Sequence, residues 1–544
     1  MRNLIYTVLS IVIINGCAKR GSPSGGPVDS IAPVLINASP KLNSINFDSE
    51  EIKLTFDEFV KLDKVGDQLI ISPPLEKTSY EVKPLNGVTK KVFLKFLDSL
   101  ESETTYTINF GNSIKDNNEG NPLTFFNYTF STGETIDSLY VKGNISDAYD
   151  FETDNYISLH LYRIDSIFKD SVIFNDRPTY IANSLDSTSY QFQNIKEGKY
   201  LIIALKDVDN NYFFDPFYDK IGFIDSLITL PRDSIIDFRL FKEETALIWD
   251  KPHFINSEKI GFGYYGKLDL KNIEIESSIP DSIQYTFTKE YEKDTLNFWL
   301  SRNSFDSLNF NLIEKDTIKL VTIKFDRARD TLIDSLSISP KTTNVIHLKE
   351  TFKLSSNIPL KNIKDSLITI RDIDSLVVPF TTSINDNLDE IDIKFEVSPS
   401  DNYRIFILPE SIRDIRGVVN DTLEYSVVSQ SIEDYGNVYL DIIRNNESKF
   451  ILHMINSNGD IIREFNNVSE NSTYNFEYIR PGKYTFRLIE DSNNNNIWDT
   501  GNYLRKVQPE PVYYFSNEIE VRANWDLNEI FDLNQTQIIK DSIN

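Results

Sequence analysis

An all-β chain of tandem sandwiches is the fold class this sequence predicts, on three observations. Short runs of alternating apolar and polar residues recur throughout, separated by Asn, Asp, Gly and Pro. Apolar runs of ten residues or more at helical spacing are missing. One 26-residue stretch occurs twice, as Tyr190–Asp215 and Tyr474–Asp499, with ten positions identical and no gap, where chance would give about two.

The amino terminus comes first. Met1 and Arg2 precede an apolar stretch from Leu4 to Ile14. That is too short to span a bilayer, which takes about 20 residues, and it reads as a secretory core. Ile14-Asn15-Gly16-Cys17 resembles the lipobox of bacterial lipoproteins, although Asn15 departs from its usual small residue. The resemblance implies cleavage after residue 16, covalent lipid (palmitate among its chains) on Cys17, and the outer membrane of a Bacteroidota-like cell. Its periplasmic or outer face stays open, because Lys19 and Arg20 are basic where acidic residues accompany export to the surface. Cys17 is the sole cysteine, so no intramolecular disulfide can form. Several acyl chains anchor stably where one does not. Residues 17–29, rich in Gly, Pro and Ser, read as a flexible tether.

Residues 30–135 form the first domain. Glu51–Phe56 alternates as a strand, Tyr106–Phe110 is another, and an Asn/Asp/Gly loop around Asp116 precedes a last strand, Phe126–Ser131. Ile52-Lys53-Leu54-Thr55-Phe56-Asp57, Ile114-Lys115-Asp116 and Phe130-Ser131-Thr132 resemble the phrases of the SbsA-type bacterial Ig-like domain. The resemblance implies a spacer sandwich, with Asp116 capping a turn.

Residues 138–245 hold the first repeat and 433–532 the second. Each copy gives a half-buried strand, a turn at Lys196-Glu197-Gly198 or Arg480-Pro481-Gly482, and a second strand. The turn is expected to place Gly198 and Gly482 at positive φ. The "(K/R)xGxY" turn between strands, followed by an Asp/Asn loop, resembles transthyretin-like and Cna-B-like modules. That implies seven-stranded prealbumin-like sandwiches.

The loops are Asp207-x-Asp209-x-Asn211-x-Phe213-x-Asp215 and Asp491-x-Asn493-x-Asn495-x-Ile497-x-Asp499. Side-chain oxygens at positions 1, 3, 5 and 9 with a carbonyl at 7 suit a hard cation, calcium above all. Position 12 carries Tyr218 and Asn502 in place of a bidentate Glu, so affinity should be weak. Position 6 carries Tyr212 and Asn496 in place of Gly. The competing reading is an Asn-rich loop that needs no metal.

Residues 246–345 read as a β-sandwich of no recognised family. Residues 346–430 echo the first domain: Tyr403–Ile407 stands for Tyr106–Phe110, and Ile412-Arg413-Asp414 for Ile114-Lys115-Asp116. Residues 533–544 are a polar tail. The order suggests a duplicated two-domain block around a central module.

The net charge of −26 argues against nucleic acid and anionic membrane surfaces. His160, His253, His347 and His453 share no metal-ligand spacing, and no nucleophile elbow, zincin or P-loop motif occurs. No catalytic residues are assigned and no enzyme activity is expected. Trp249, Trp299, Trp498 and Trp525 either line a binding face or pack sandwich cores. The expectation is a membrane-anchored binding or scaffold subunit, with rod-like modules presenting their far end to a partner. That partner is an outer-membrane β-barrel machine for assembly, secretion or uptake; the alternative is an independent adhesin or glycan-binding protein.

Overall fold

The structure is a computed structural model. It describes residues 29–124, 126–165, 168–232, 235–290, 293–302, 304–325, 334–444, 448–469 and 472–534. Cys17, the leader and the tail from Gln535 lie outside these residues. The described chain is all-β, five two-sheet sandwiches in succession, with only short helical turns between strands.

In the first sandwich, Glu51–Leu62 pairs with Leu35–Ser39, Thr89–Phe96 and Ile114–Asp116. The facing sheet is Ile70–Ser72, Thr105–Asn109 and Asn127–Ser131. Alternation sets the burial: Ile52, Leu54 and Phe56 enter the core between more exposed neighbours. The fourth sandwich repeats the plan, with Phe352–Ser356 and Glu390–Phe395 opposite Ile368–Arg371, Asn402–Ile407 and Leu423–Ser429. It starts earlier than residue 346. Ile338–Pro340 pairs with Phe352–Ser356, and that hydrogen bonding places the strand here and not in the central module.

Both sandwiches carry the same corner. The hydroxyl of Tyr106 accepts from the Glu101 N–H at 3.0 Å, and that of Tyr403 from the Ser398 N–H at 2.6 Å, each five residues upstream. Asp116 accepts the N–H groups of Asn118, Glu119, Gly120 and Asn121. Asp414 does the same for Arg416 and Val418. Both aspartates cap a turn.

The second and fifth sandwiches share one topology. Ser189–Ile195 and Ser472–Ile479 pair antiparallel with Leu139–Asp147 and Gly436–Ile443. A last strand, Phe238–Leu240 or Asp526–Asp532, adds parallel on the other side. The opposed sheet centres on Gly198–Lys206 or Gly482–Asp491. One of the seven expected strands is broken in two. Lys220–Phe223 with Ile228–Leu230, and Val512–Tyr514 with Ile519–Val521, pair to opposite ends of the same central strand.

The turn chemistry differs from the expectation. Gly198 and Gly482 do not adopt positive φ; Asn194 and Tyr478 do, each at 57°, where the strand register slips. The bulge absorbs the turn's twist one strand earlier. The glycines serve a close approach instead: a Cβ there would lie 3.3 Å from the ring of Tyr200 or the hydroxyl of Tyr484. Those tyrosines donate back to the carbonyls of Lys196 and Arg480, both at 2.8 Å.

The central sandwich pairs Lys259–Tyr265 and Thr295–Leu300 opposite Ser307–Glu314 and Thr317–Lys324. Phe262, Phe298 and Phe310 meet in its core. Trp249 and Trp299 are buried. Trp299 donates to Thr288 at 2.8 Å. Trp525 stays exposed, beneath the Arg522 guanidinium.

The modules do not line up as a rod. Neighbours in sequence touch, as in Arg177–Glu76, Lys267–Glu244, Arg416–Glu258 and Arg480–Glu350. The fifth sandwich also docks on the second, which closes the last four modules on themselves. Burial of aromatic surface drives the closure, since Tyr503 of the fifth sandwich is wholly buried among Phe223 and Phe241 of the second.

A composite cleft where the repeat units dock

The two Asp/Asn loops repeat their backbone as well as their sequence. Positions 4 and 6 are left-handed in both: Asn210 and Tyr212, then Asn494 and Asn496. Position 1 holds each loop. Asp207 accepts the N–H groups of Asn211 and Tyr212, and Asp491 those of Asn495 and Asn496. A second acid closes the other side. Asp219 accepts from Val208 and Asp215; Glu510 accepts from Ser492 and Asp499. Burial pushes the carboxyls of Asp207, Asp219 and Glu510 above their usual range, against the backbone bonds that favour charge.

The cation candidates divide accordingly. Asn493, Asn495 and Asp499 converge: both amides donate to Asp499 Oδ2, at 2.6 and 2.8 Å. Asp209 and Asn211 make no such convergence; Asn211 accepts the Phe213 N–H, and Asp215 that of Phe217. Among the described residues no three His, Cys, Asp or Glu side chains group as a metal site. In type and number the residues of the second loop fit a hard cation. Its amides face Asp499 with nitrogen because their oxygens accept the N–H groups of Asn495 and Ile497, at 3.0 and 2.8 Å, so an ion needs both turned over and those two bonds given up. Asn502 at position 12 faces away, donating to Glu243 of the second sandwich at 3.1 Å. Its counterpart Tyr218 lies against Tyr265 of the central sandwich.

The second loop's main contact is with the first repeat. Trp498 lies 4.7 Å from the Tyr149 ring and donates to the Glu510 carbonyl. Thr500 donates to the Lys242 carbonyl, and the Tyr503 N–H to Glu243. Gly501 lets the chain pass Phe241, whose ring would stand 2.6 Å from a Cβ.

Arg487 sits at the centre. Its guanidinium lies 4.0 Å over the Tyr149 ring. It donates to the hydroxyls of Tyr149 at 2.8 Å and Tyr514 at 3.3 Å, and to His453 Nδ1 at 3.0 Å. Tyr514 in turn donates to the Tyr149 carbonyl at 2.6 Å. Accepting from arginine leaves the His453 proton on Nε2, 3.2 Å from Glu464. Burial, then the charge of Arg487, holds His453 below the usual histidine value and keeps it neutral.

A cleft of about 390 Å³ opens beside this network. Its walls come from both modules: Asp150 and Phe151 from the second sandwich, Tyr484, Arg487, Tyr514 and Asn458 from the fifth. A second cleft, of about 330 Å³, lies across Phe151 and Tyr514 and contains Arg239. Aromatic faces, amides and one buried cation suit recognition by stacking and hydrogen bonding. Sequence reasoning missed these residues. The one signal was a divergence inside the repeat, since Arg487 occupies the position of Ile203, a buried residue of the first copy.

The remaining histidines are structural. His160 is fully buried between the Ser158 and Tyr162 hydroxyls, and burial drives it down to about 3. His347 donates to the Tyr478 carbonyl at 2.5 Å and accepts the Lys349 N–H. His253 is exposed and lies over Gly261.

A family model described as a bacterial Ig-like domain matches residues 29–132. No curated protein sequence matches the chain. Among solved structures, the Bacillus anthracis TIE protein is 9% identical over 97% of this chain and 78% of that one, with a TM-score of 0.15. The Bacillus cereus major pilin subunit BcpA is 12% identical over 73% and 99%, at 0.13. Bacteroides ovatus SGBP-B, solved with a mixed-linkage heptasaccharide, is 10% identical over 71% and 94%, at 0.16. Likenesses this slight carry no argument about partner or activity.

Proposed function

We propose that this chain is a lipid-anchored binding scaffold of the cell envelope, tethered through Cys17 to the outer membrane. The observation that supports it most is the docking of the two repeat units. It builds a composite cleft from modules far apart in sequence, with aromatic and amide walls. On this reading a subunit of an outer-membrane β-barrel machine is the leading role, and the work is contact and not turnover. The test is recovery of the chain from detergent-solubilised membranes. Stoichiometric recovery with a β-barrel protein supports it; recovery alone contradicts it. Labelled palmitate should enter the chain, and a Cys17→Ala variant should take up none.

A second reading, an independent adhesin that binds glycans, is favoured by the cleft itself. Phe151, Tyr484 and Tyr514 beside Asn456 and Asn458 offer stacking faces next to amides. Retardation in polysaccharide-containing gels, lost in Tyr514→Ala, would select it. Cleavage of a polysaccharide or peptide panel would contradict both readings.

Calcium belongs to the same proposal. Asp491, Asn493, Asn495, Asp499 and the Ile497 carbonyl would hold it once the two amides turn. The ion would stiffen the loop that docks on the first repeat.

A further inference from the structure

A different cleft, of about 330 Å³, lies between the fourth and fifth sandwiches. Its charged lining is Lys349, Glu350, Arg463 and Arg480, three cations to one carboxylate, in a chain whose net charge is −26.

The carboxylates within reach do not neutralise it. Lys349 pairs with Glu477 at 2.9 Å and lies over the Tyr478 ring. Glu350 is shared: one oxygen accepts the His347 N–H at 3.0 Å and meets Arg480 at 3.3 Å. His347 spends both ring nitrogens on backbone groups and stays neutral, since burial holds it below its usual value. That leaves Arg463. Among the described residues it makes no ion pair, and its Nη1 donates only to the adjacent Ile462 carbonyl at 2.8 Å.

A half-buried guanidinium cannot shed its proton as a carboxyl or imidazole does. Burial, then the like charge of Arg480, works against Arg463, and the charge of Glu350 eases this without reversing it. An anion is the group that relieves such a site. Two guanidinium forks match the paired oxygens of a phosphate.

We propose that this cleft is an oxyanion site, in which Arg463 and Arg480 together take a phosphate group. Tyr478 and Tyr484 flank it, and the cavity admits a group larger than a bare ion. It shares the Tyr484 ring with the cleft at the repeat junction, but Arg463 and Arg480 belong to this cleft alone.

The experiment is the melting temperature of the full chain in detergent, with inorganic phosphate against chloride at equal ionic strength. It is repeated with short-chain phosphatidylglycerol. The melt is expected to rise, and Arg463→Gln and Arg480→Gln are each expected to lose the rise. Lys483→Gln, whose exposed charge pairs with Glu518 outside the cleft, should keep it. Arg463→Lys preserves the charge but not the fork, and should keep only part; it serves if a glutamine variant fails to fold. A rise with free phosphate assigns a soluble phosphate ligand, and a rise with the lipid alone assigns a headgroup. No rise with either, or a rise unchanged in the arginine variants, overturns the proposal.

Discussion

Asp219 and Glu510 perform the same task from different places in the chain. Each receives one N–H from just after its loop's first aspartate and one from the loop's last. Asp219 follows that last residue by four positions; Glu510 follows by eleven, from the far side of a docking segment. The repeat conserved the bonds and moved the acid.

Glu510→Ala should therefore cost roughly 2–3 kcal/mol, because two backbone donors at a buried site are left without an acceptor. Urea midpoints measure this. The pH dependence has a definite sign. Burial raises the folded carboxyl, so the folded state binds protons more readily than the unfolded chain. Its charged form then opposes folding, and that penalty sets in as pH rises from the unfolded carboxyl value through the folded one. Glu510→Gln should remove this part of the acid-side gain.

Tyr403→Phe and Tyr106→Phe should each cost about 1 kcal/mol, since the corner bond is lost while the ring still packs. The two losses should add, because the corners stand in separate sandwiches. Thermal denaturation of the single and double variants tests this.

His160 runs opposite to Glu510. Its folded value is driven down to about 3, so its stability contribution is whole above the unfolded value of about 6.5. It is lost as pH falls from there towards 3, by at most roughly 5 kcal/mol. His160→Gln should flatten that part of the denaturant-midpoint profile. An unchanged profile would mean another group titrates there.

Chelation is expected to lower the melting temperature. At calcium near ten times its dissociation constant, the gain is about 1.4 kcal/mol. Asp491→Ala with Asp499→Ala should erase the difference between calcium and chelator. Identical melts of the unaltered chain in both would remove the ion from the account.

Much of the fold was legible because strands, turns and caps are written locally. The alternation of Ile52, Leu54 and Phe56 fixes a face, and Asp116 sits where a turn needs a cap. The positive φ at Asn194 and Tyr478 was not legible, because a bulge depends on its partner strand. The docked arrangement was harder still. Tyr149 and Arg487 are 338 residues apart, and no local pattern encodes such a contact. Only the exchange of Ile203 for Arg487 marked that strand as facing something other than a core. The same long range hid the cleft.

The closure of the second sandwich on the fifth is the central claim, and a distance measures it directly. Spin labels on cysteines introduced at Glu152 and Asn458, which line one cleft from opposite modules, should report a single short distance by electron–electron resonance. Tyr149→Ala combined with Arg487→Ala should broaden and lengthen it. A long, broad distribution in the unaltered chain would instead show modules strung out as a rod, and would contradict the composite cleft.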